Sequence, residues 1–316
     1  MNNSFQTASA KVSVSANYEN REGGGIIHLH KLKNKNGVEA TITNHGVRIV
    51  SLLIPDRHGN MIDVIAGHEK PNALHDGKNS SGAAVWDVEQ FDHQTVDLRY
   101  NSKNMEGNFP GNLKVKRTYV LNDDNILKII YEAVTDKTIV MNLANNAFFN
   151  LNGKNNGNIL NHQVWIKADH YMPIDANMSP TGVIESVAGT PFDFRNSATI
   201  GSRINDHHVQ LTNGNGYDHN FVLNKHSSRT PVARIRGDKS GIIMEIFTDQ
   251  PGLQFYSGNF MKSKHVKKDG DKDDCYTAFA MKTRHFSDLP TPPVFPLTAL
   301  RPGQVYRSVY SYQFKN

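Results

Sequence analysis

Apolar and polar residues alternate in short runs along most of the chain. The stretch IIHLHKLKNKNGVEATITNHGVRIVSLLIPDRHGNMIDVIAG, residues 26–67, does so between breaks at Asn36-Gly37, His45-Gly46 and His58-Gly59-Asn60. A period of two sends successive side chains to opposite faces of a strand, so these runs predict consecutive antiparallel strands. Asn36-Gly37 predicts a tight hairpin, because both residues tolerate positive φ. The same texture returns in LKVKRTYVLNDDNILKIIYEAVTD, HQVWIKADHYMPID and PVARIRGDKSGIIMEIFTD, with turn signals at Asn122-Asp123-Asp124 and Asp238-Lys239-Ser240-Gly241. No long segment keeps a helical period. The pattern predicts an all-β fold, a sandwich or a barrel.

With 316 residues and neither linker nor internal repeat, residues 26–316 read as one domain, preceded by a flexible N-terminal arm, 1–25, ending in Gly23-Gly24-Gly25. A hydrophobic share of 38% and a charged share of 21% suit a globular chain that buries a core. The single cysteine, Cys275, excludes an intramolecular disulfide and a thiolate metal cluster. A cytoplasmic location and no membrane partner are expected, since the polar start carries no signal-like core and no run approaches the roughly 18 apolar residues of a span.

The net charge of +5 favours an anionic ligand such as a sugar phosphate. Much of the positive charge lies in KSKHVKKDGDKDD, residues 262–274. Its mixed signs read as a solvated loop, and no interleaved aromatics offer to stack bases, so no nucleic-acid partner is expected. His28 and His30 share a strand face without a carboxylate in register, and His207-His208 and His285 are no more specific; no metal and no cofactor are expected.

Seven blocks, in order and spread over nearly the whole domain, resemble the aldose 1-epimerase (galactose mutarotase) family: TITNHGVRIVSLLIPDRHGNMIDVIAG, NALHDG, FPGNLKVKRTYVLNDDNILKIIYEAVTDKTIVMNLANNAFFNLNG, MPIDANMSPTGVIESVAGTPFDFR, GYDHNFVLN, QPGLQFYSGNF and HFSDLPTPPVFPLTALRPGQVYRS. The resemblance implies a large antiparallel β-sandwich with an open cleft that binds a monosaccharide. In the family a glutamate takes the anomeric proton while a histidine protonates the ring oxygen. Both groups must titrate near the working pH.

Matched block by block, Asn146 stands in ANNAFFNL at the place of the acid histidine, and Lys282 stands in AFAMKTRHFSD at the place of the base glutamate, with Arg284 two residues on. An amide hydrogen-bonds a sugar oxygen but exchanges no proton at neutral pH, and a lysine is ordinarily a cation. A family segment with an orienting arginine has no counterpart between Lys70 and Asn72. His75 in NALHDG, Trp86 in AAVWDVEQ and Asp218 in GYDHNF keep their family places. His75, Asp218 and Lys282 are thus the candidate catalytic residues, and Asn146, Arg284 and Trp86 the candidate substrate contacts.

Each candidate has a plainer reading. His75 also fits a loop histidine bonded to backbone, and Asp218 fits a cap on the turn Asn213-Gly214-Asn215-Gly216. Lys282 fits a Schiff-base amine, an anion contact, a base of depressed pKa, or an unconstrained residue at an abandoned site. Two functions therefore stay open. One is a repurposed enzyme performing an isomerisation, elimination or cyclisation on a sugar-like or anionic metabolite. The other is a non-catalytic carbohydrate-binding or regulatory protein. Either is expected as a monomer or dimer, with ordinary mutarotation weak or absent.

Overall fold

The computed structural model describes the main chain of residues 15–20 and, in full, residues 26–66, 84–106, 110–143, 145, 147–261, 274–286 and 299–316. His75, Asn146, the junction after Lys70 and nearly all of the lysine and aspartate loop lie outside the described residues.

Strands are numbered in chain order. β1 (Ser15–Asn20), β2 (Ile26–Lys33), β3 (Glu39–Thr43), β4 (Arg48–Pro55) and β5 (Met61–Asp63) form a five-stranded meander. β1 falls within the stretch expected as a loose arm, yet its main chain pairs antiparallel with β2 and forms the edge of the sheet. The β2–β3 turn also differs from the expected two-residue hairpin. Asn34 Oδ1 accepts the N–H groups of both Asn36 and Val38, and of the Asn36-Gly37 pair only Gly37 takes positive φ, at 83°. The asparagine side chain rounds the corner, so one left-handed residue is enough.

A nine-stranded sheet runs in the order β14 (Ala198–Thr199), β11 (Gln163–Ile166), β16 (Ala233–Arg236), β17 (Ile243–Thr248), β21 (Tyr306–Lys315), β9 (Ile126–Thr135), β8 (Leu113–Leu121), β7 (Thr95–Ser102), β6 (Asp87–Gln90). A second five-stranded sheet runs β13 (Glu185–Ser186), β12 (His170–Met172), β15 (Asp218–Val222), β18 (Gly252–Tyr256), β19 (Ala280–Arg284), and β10 (Ile139–Val140) pairs with β20 (Ala299–Leu300). Every strand pairing among the described residues is antiparallel. The only α-helix among them is the short α1 (Val209–Gly214), and none is long and apolar enough to cross a membrane.

The alternation works as the pattern predicts. In β8 and β9, Tyr119, Leu121, Leu127, Ile129 and Tyr131 are fully buried while Lys114 and Lys128 face solvent. Their turn is built by Asn122, whose Oδ1 accepts the N–H groups of Asp124 and Ile126. One apolar cluster joins the three large sheets, with Leu32 and Leu52 from the first, Ile129, Ile246 and Tyr312 from the second, and Phe221, Leu253 and Phe255 from the third. Burying each such side chain contributes roughly 1.5–3 kcal/mol, which fixes the third sheet against the others.

Candidate active site

The sheet holding β15, β18 and β19 has two unlike faces. Its back is aromatic: Phe221 and Phe255 are buried there with Tyr217, Phe192 and Phe194, and Tyr217 stacks on Phe255 at 5.4 Å. His219, 0% exposed, packs on Phe192 at 4.5 Å, accepts the Asp218 N–H at Nδ1 and meets Gln210 Oε1 through Nε2. Tightly packed ring pairs add roughly 0.5–1.5 kcal/mol each beyond area burial, so this layer holds the strands rigidly from behind.

With every second side chain turned to the back, the others share the front, and the register sets their order. Asp218 lies opposite Tyr256 and then Ala280; Asn220 lies opposite Gln254 and then Lys282; Val222 lies opposite Gly252 and then Arg284. Three sequence candidates, Asp218, Lys282 and Arg284, are thereby brought to one face. Asp218 does not cap the preceding turn. Asn215 closes that turn with φ 51° and its own N–H bonded to Leu211 and Thr212 carbonyls, while Asp218 Oδ1 accepts from Gln254 Nε2 at 2.7 Å. Arg284 in turn donates to Gln254 Oε1 at 3.0 Å. One amide thus stands between carboxylate and guanidinium.

Lys282 makes neither a hydrogen bond nor an ion pair among the described residues, and its Nζ lies 5.8 Å from the centre of the Phe148 ring. Phe148 is placed by its neighbour. Phe149, fully buried, forms paired main-chain bonds with Phe279 at the start of β19, so Phe148 turns the other way and meets Tyr256 edge-on at 6.1 Å.

Burial pushes the Asp218 carboxyl above its ordinary range, against the opposing pull of Gln254, Lys282 and Arg284. Burial likewise pushes the Lys282 amine below its ordinary range, opposed by Asp218 and helped by Arg284. Both shifts favour the neutral forms. Asn220, 6% exposed, has no hydrogen-bond partner among the described residues for either amide atom. An unmet buried polar group costs about 1–3 kcal/mol. Gly252 makes room for this amide, since a Cβ there would stand 2.7 Å from Asn220 Oδ1.

Trp86 lies elsewhere. It is 4% exposed in the core, stacked on Tyr100 at 5.4 Å with the Arg117 guanidinium 5.8 Å from its ring. Gln254, Asn220, Phe148 and Tyr256 were not among the sequence candidates, although all four fall in the resembling blocks. Alternation within GLQFY would have put Gln254 and Tyr256 on one face. Among the described residues no group of three or more His, Cys, Asp or Glu side chains is placed to hold a metal ion. The front face can hydrogen-bond hydroxyls through Asn220, Gln254 and Asp218, and can attract an anion through Lys282 and Arg284.

The aldose 1-epimerase family profile matches residues 66–313. Galactose mutarotase from Mus musculus is 31% identical over 92% of the chain and 95% of its own length. Aldose 1-epimerase from Escherichia coli K12 is 33% identical over 77% of the chain and 70% of its own length. Two crystal structures share the fold at a TM-score of 0.80: an aldose epimerase homologue from C. elegans, 24% identical over 91% of this chain and 98% of that one, and galactose 1-epimerase from Lactobacillus acidophilus, 22% identical over 96% and 99%. The sandwich is of the galactose mutarotase type, and the chain belongs to the aldose 1-epimerase family.

Proposed function

We propose that the front face of β15, β18 and β19 is the floor of a sugar-type cleft whose proton chemistry has been remodelled. In this reading the protein performs another proton-transfer reaction, an isomerisation, elimination or cyclisation, on a sugar-like or anionic metabolite. The supporting observation is the set of ionisable side chains on that floor. Among the described residues its strand register carries one carboxylate, Asp218, with the Lys282 amine and the Arg284 guanidinium on the same face. Mutarotation requires an acid and a base that exchange protons on opposite sides of the ring, and a lysine at the base position reverses the charge needed. The names of the relatives support a sugar as ligand.

Polarimetry on α-D-galactose tests this reading, run beside a melting screen of sugars and sugar phosphates. An acid and a base each typically contribute about 10² to 10⁴ in rate, so mutarotation should be at least about 10²-fold below that of an ordinary relative while sugars or sugar phosphates still raise the melting temperature. Turnover at an ordinary rate would overturn it. A non-catalytic sugar-binding protein is the second reading, favoured by the Asp218–Gln254–Arg284 relay, in which the Gln254 amide already engages both the carboxylate and the guanidinium. Ligand binding without turnover of any aldose or aldose phosphate would select it.

A further inference from the structure

Lys282 is unlike an ordinary half-buried lysine. Among the described residues it has no carboxylate within ion-pair distance and no hydrogen bond, and it stands beside the Phe148 ring on a face where Asp218 is their one carboxylate. The carboxylate that would quench it is held elsewhere, because Asp218 takes the Gln254 amide, and Gln254 takes Arg284. Another polar group lies on the same face: the Asn220 amide, without a hydrogen-bond partner among the described residues and in register with Lys282 through Gln254. A partly desolvated amine without a counter-ion among the described residues, on the same face as an amide two strands away that can hold a hydroxyl, is arranged for nucleophilic attack more than for anchoring charge.

We propose that Lys282 captures the open-chain form of an aldose as a covalent imine at the aldehyde carbon. The inference rests on reading this face as a sugar cleft and names the species the cleft would take. The Nζ lone pair adds to the carbonyl carbon, forming a C–N bond as the C=O π bond breaks, and a proton passes from nitrogen to oxygen to give a carbinolamine. Its hydroxyl then leaves as water with a proton relayed through solvent from the Asp218 carboxyl, which lies beyond direct ion-pair reach of Nζ. The resulting iminium loses its N–H proton back to that carboxylate by the same solvent relay. Amine and aldehyde become imine and water, with no oxidant, reductant or metal. The direction of both ionisation shifts agrees, since a neutral amine is the nucleophile and a protonated carboxyl is the acid.

The test is reductive trapping on the full chain. The protein is incubated with D-galactose or D-glyceraldehyde and cyanoborohydride, and adducts are located by intact mass and peptide mapping. Lys282 should be labelled at least about tenfold above the surface lysines, as expected for an activated amine. Its labelling should saturate with sugar concentration and vanish in Lys282→Arg, with folding of the variant checked by circular dichroism. Labelling of Lys282 at the level of the surface lysines would overturn the proposal. Melting curves on the same samples separate the two readings. A sugar-dependent rise without Lys282 labelling overturns the imine and leaves the sugar cleft standing, whereas neither a rise nor labelling overturns both.

Discussion

Two sheet faces of this protein carry the same kinds of group and use them differently. On the outside of the nine-stranded sheet, Arg234 donates to Glu245 Oε1 at 2.8 and 2.6 Å and Lys315 donates to Oε2 at 2.6 Å. Burial works to raise the Glu245 carboxyl, but hydrogen bonds from Lys315 and Arg234 outweigh it and hold the group below its ordinary range. On the front of β15, β18 and β19, Asp218 meets an amide in place of a cation and is shifted upward, while Lys282 is shifted downward. The outer ladder satisfies its charges and serves the fold. The inner face leaves an amine and an amide without partners among the described residues, an arrangement that costs stability and that is concentrated at sites of binding and chemistry.

Rebuilding the family's acid and base offers the largest effect by which to break this contrast. Asn146→His with Lys282→Glu should still leave mutarotation about 10²-fold or more below an ordinary relative, because the sugar must also be positioned to within about 1 Å. The sequence resemblance offers no counterpart after Lys70 for the family's orienting arginine. Polarimetry within tenfold of a relative would show that two substitutions alone had disabled the site.

Acid reaches the rigid backing next. Burial holds His219 down at about 3, and burial holds His162 at about 4 although Asp238 Oδ1 lies 3.2 Å away. The ordinary histidine value is 6.5. Below it the unfolded chain takes up protons that the folded one refuses, so stability falls as pH falls from about 6.5 toward 4 for His162 and toward 3 for His219. Each histidine contributes about 1.4 kcal/mol per pH unit in that window. Denaturant unfolding between about pH 7 and 5, where most carboxylates stay ionised, should show the slope; a flat profile would contradict it.

Smaller effects separate the two faces from each other. Glu245→Leu should cost about 1 kcal/mol, a modest figure because Arg234 and Lys315 are half exposed and screened, and it should leave ligand binding unchanged. Gln254→Leu should do the reverse. Without the amide the Asp218 carboxyl loses a bond that holds it down, and ligand affinity should fall about tenfold, the worth of one hydrogen bond to a charged group. The melting temperature should barely move. Equal effects of the two substitutions on binding would erase the comparison.

How much of this was legible in the chain depends on the range of the interaction. Alternation in LKVKRTYVL and ILKIIYEAVT predicts β8 and β9 because the period is local. The Asn36-Gly37 turn was placed correctly but assigned the wrong geometry, since the Asn34 side chain outside the pair does the bending. β1 was missed because its partner, β2, lies beyond a glycine run that reads as a break. At the candidate site, the blocks point to Asp218, Lys282 and Arg284, which the strand register brings to one face. Gln254 was not, because its role exists only once three strands are in register and bring it to Asp218, 36 residues away, and Arg284, 30 away. Trp86 kept its place in a block, but its burial against Tyr100 and Arg117 depends on strands that no local pattern aligns.

In the proposed reading Lys282 and Asp218 are an amine and an acid held apart from ion pairing, unlike the paired charges outside. Lysine-selective NMR titration of the full chain, with Lys282 assigned by its loss in Lys282→Arg, tests it most directly. The amine should titrate below the ordinary 10.5, because burial outweighs the nearby carboxylate, and Asp218→Asn should lower it further by removing the one group that opposes the shift. Titration at or above 10.5, unmoved by Asp218→Asn, would mean that Lys282 is an ordinary solvated cation and would contradict the account.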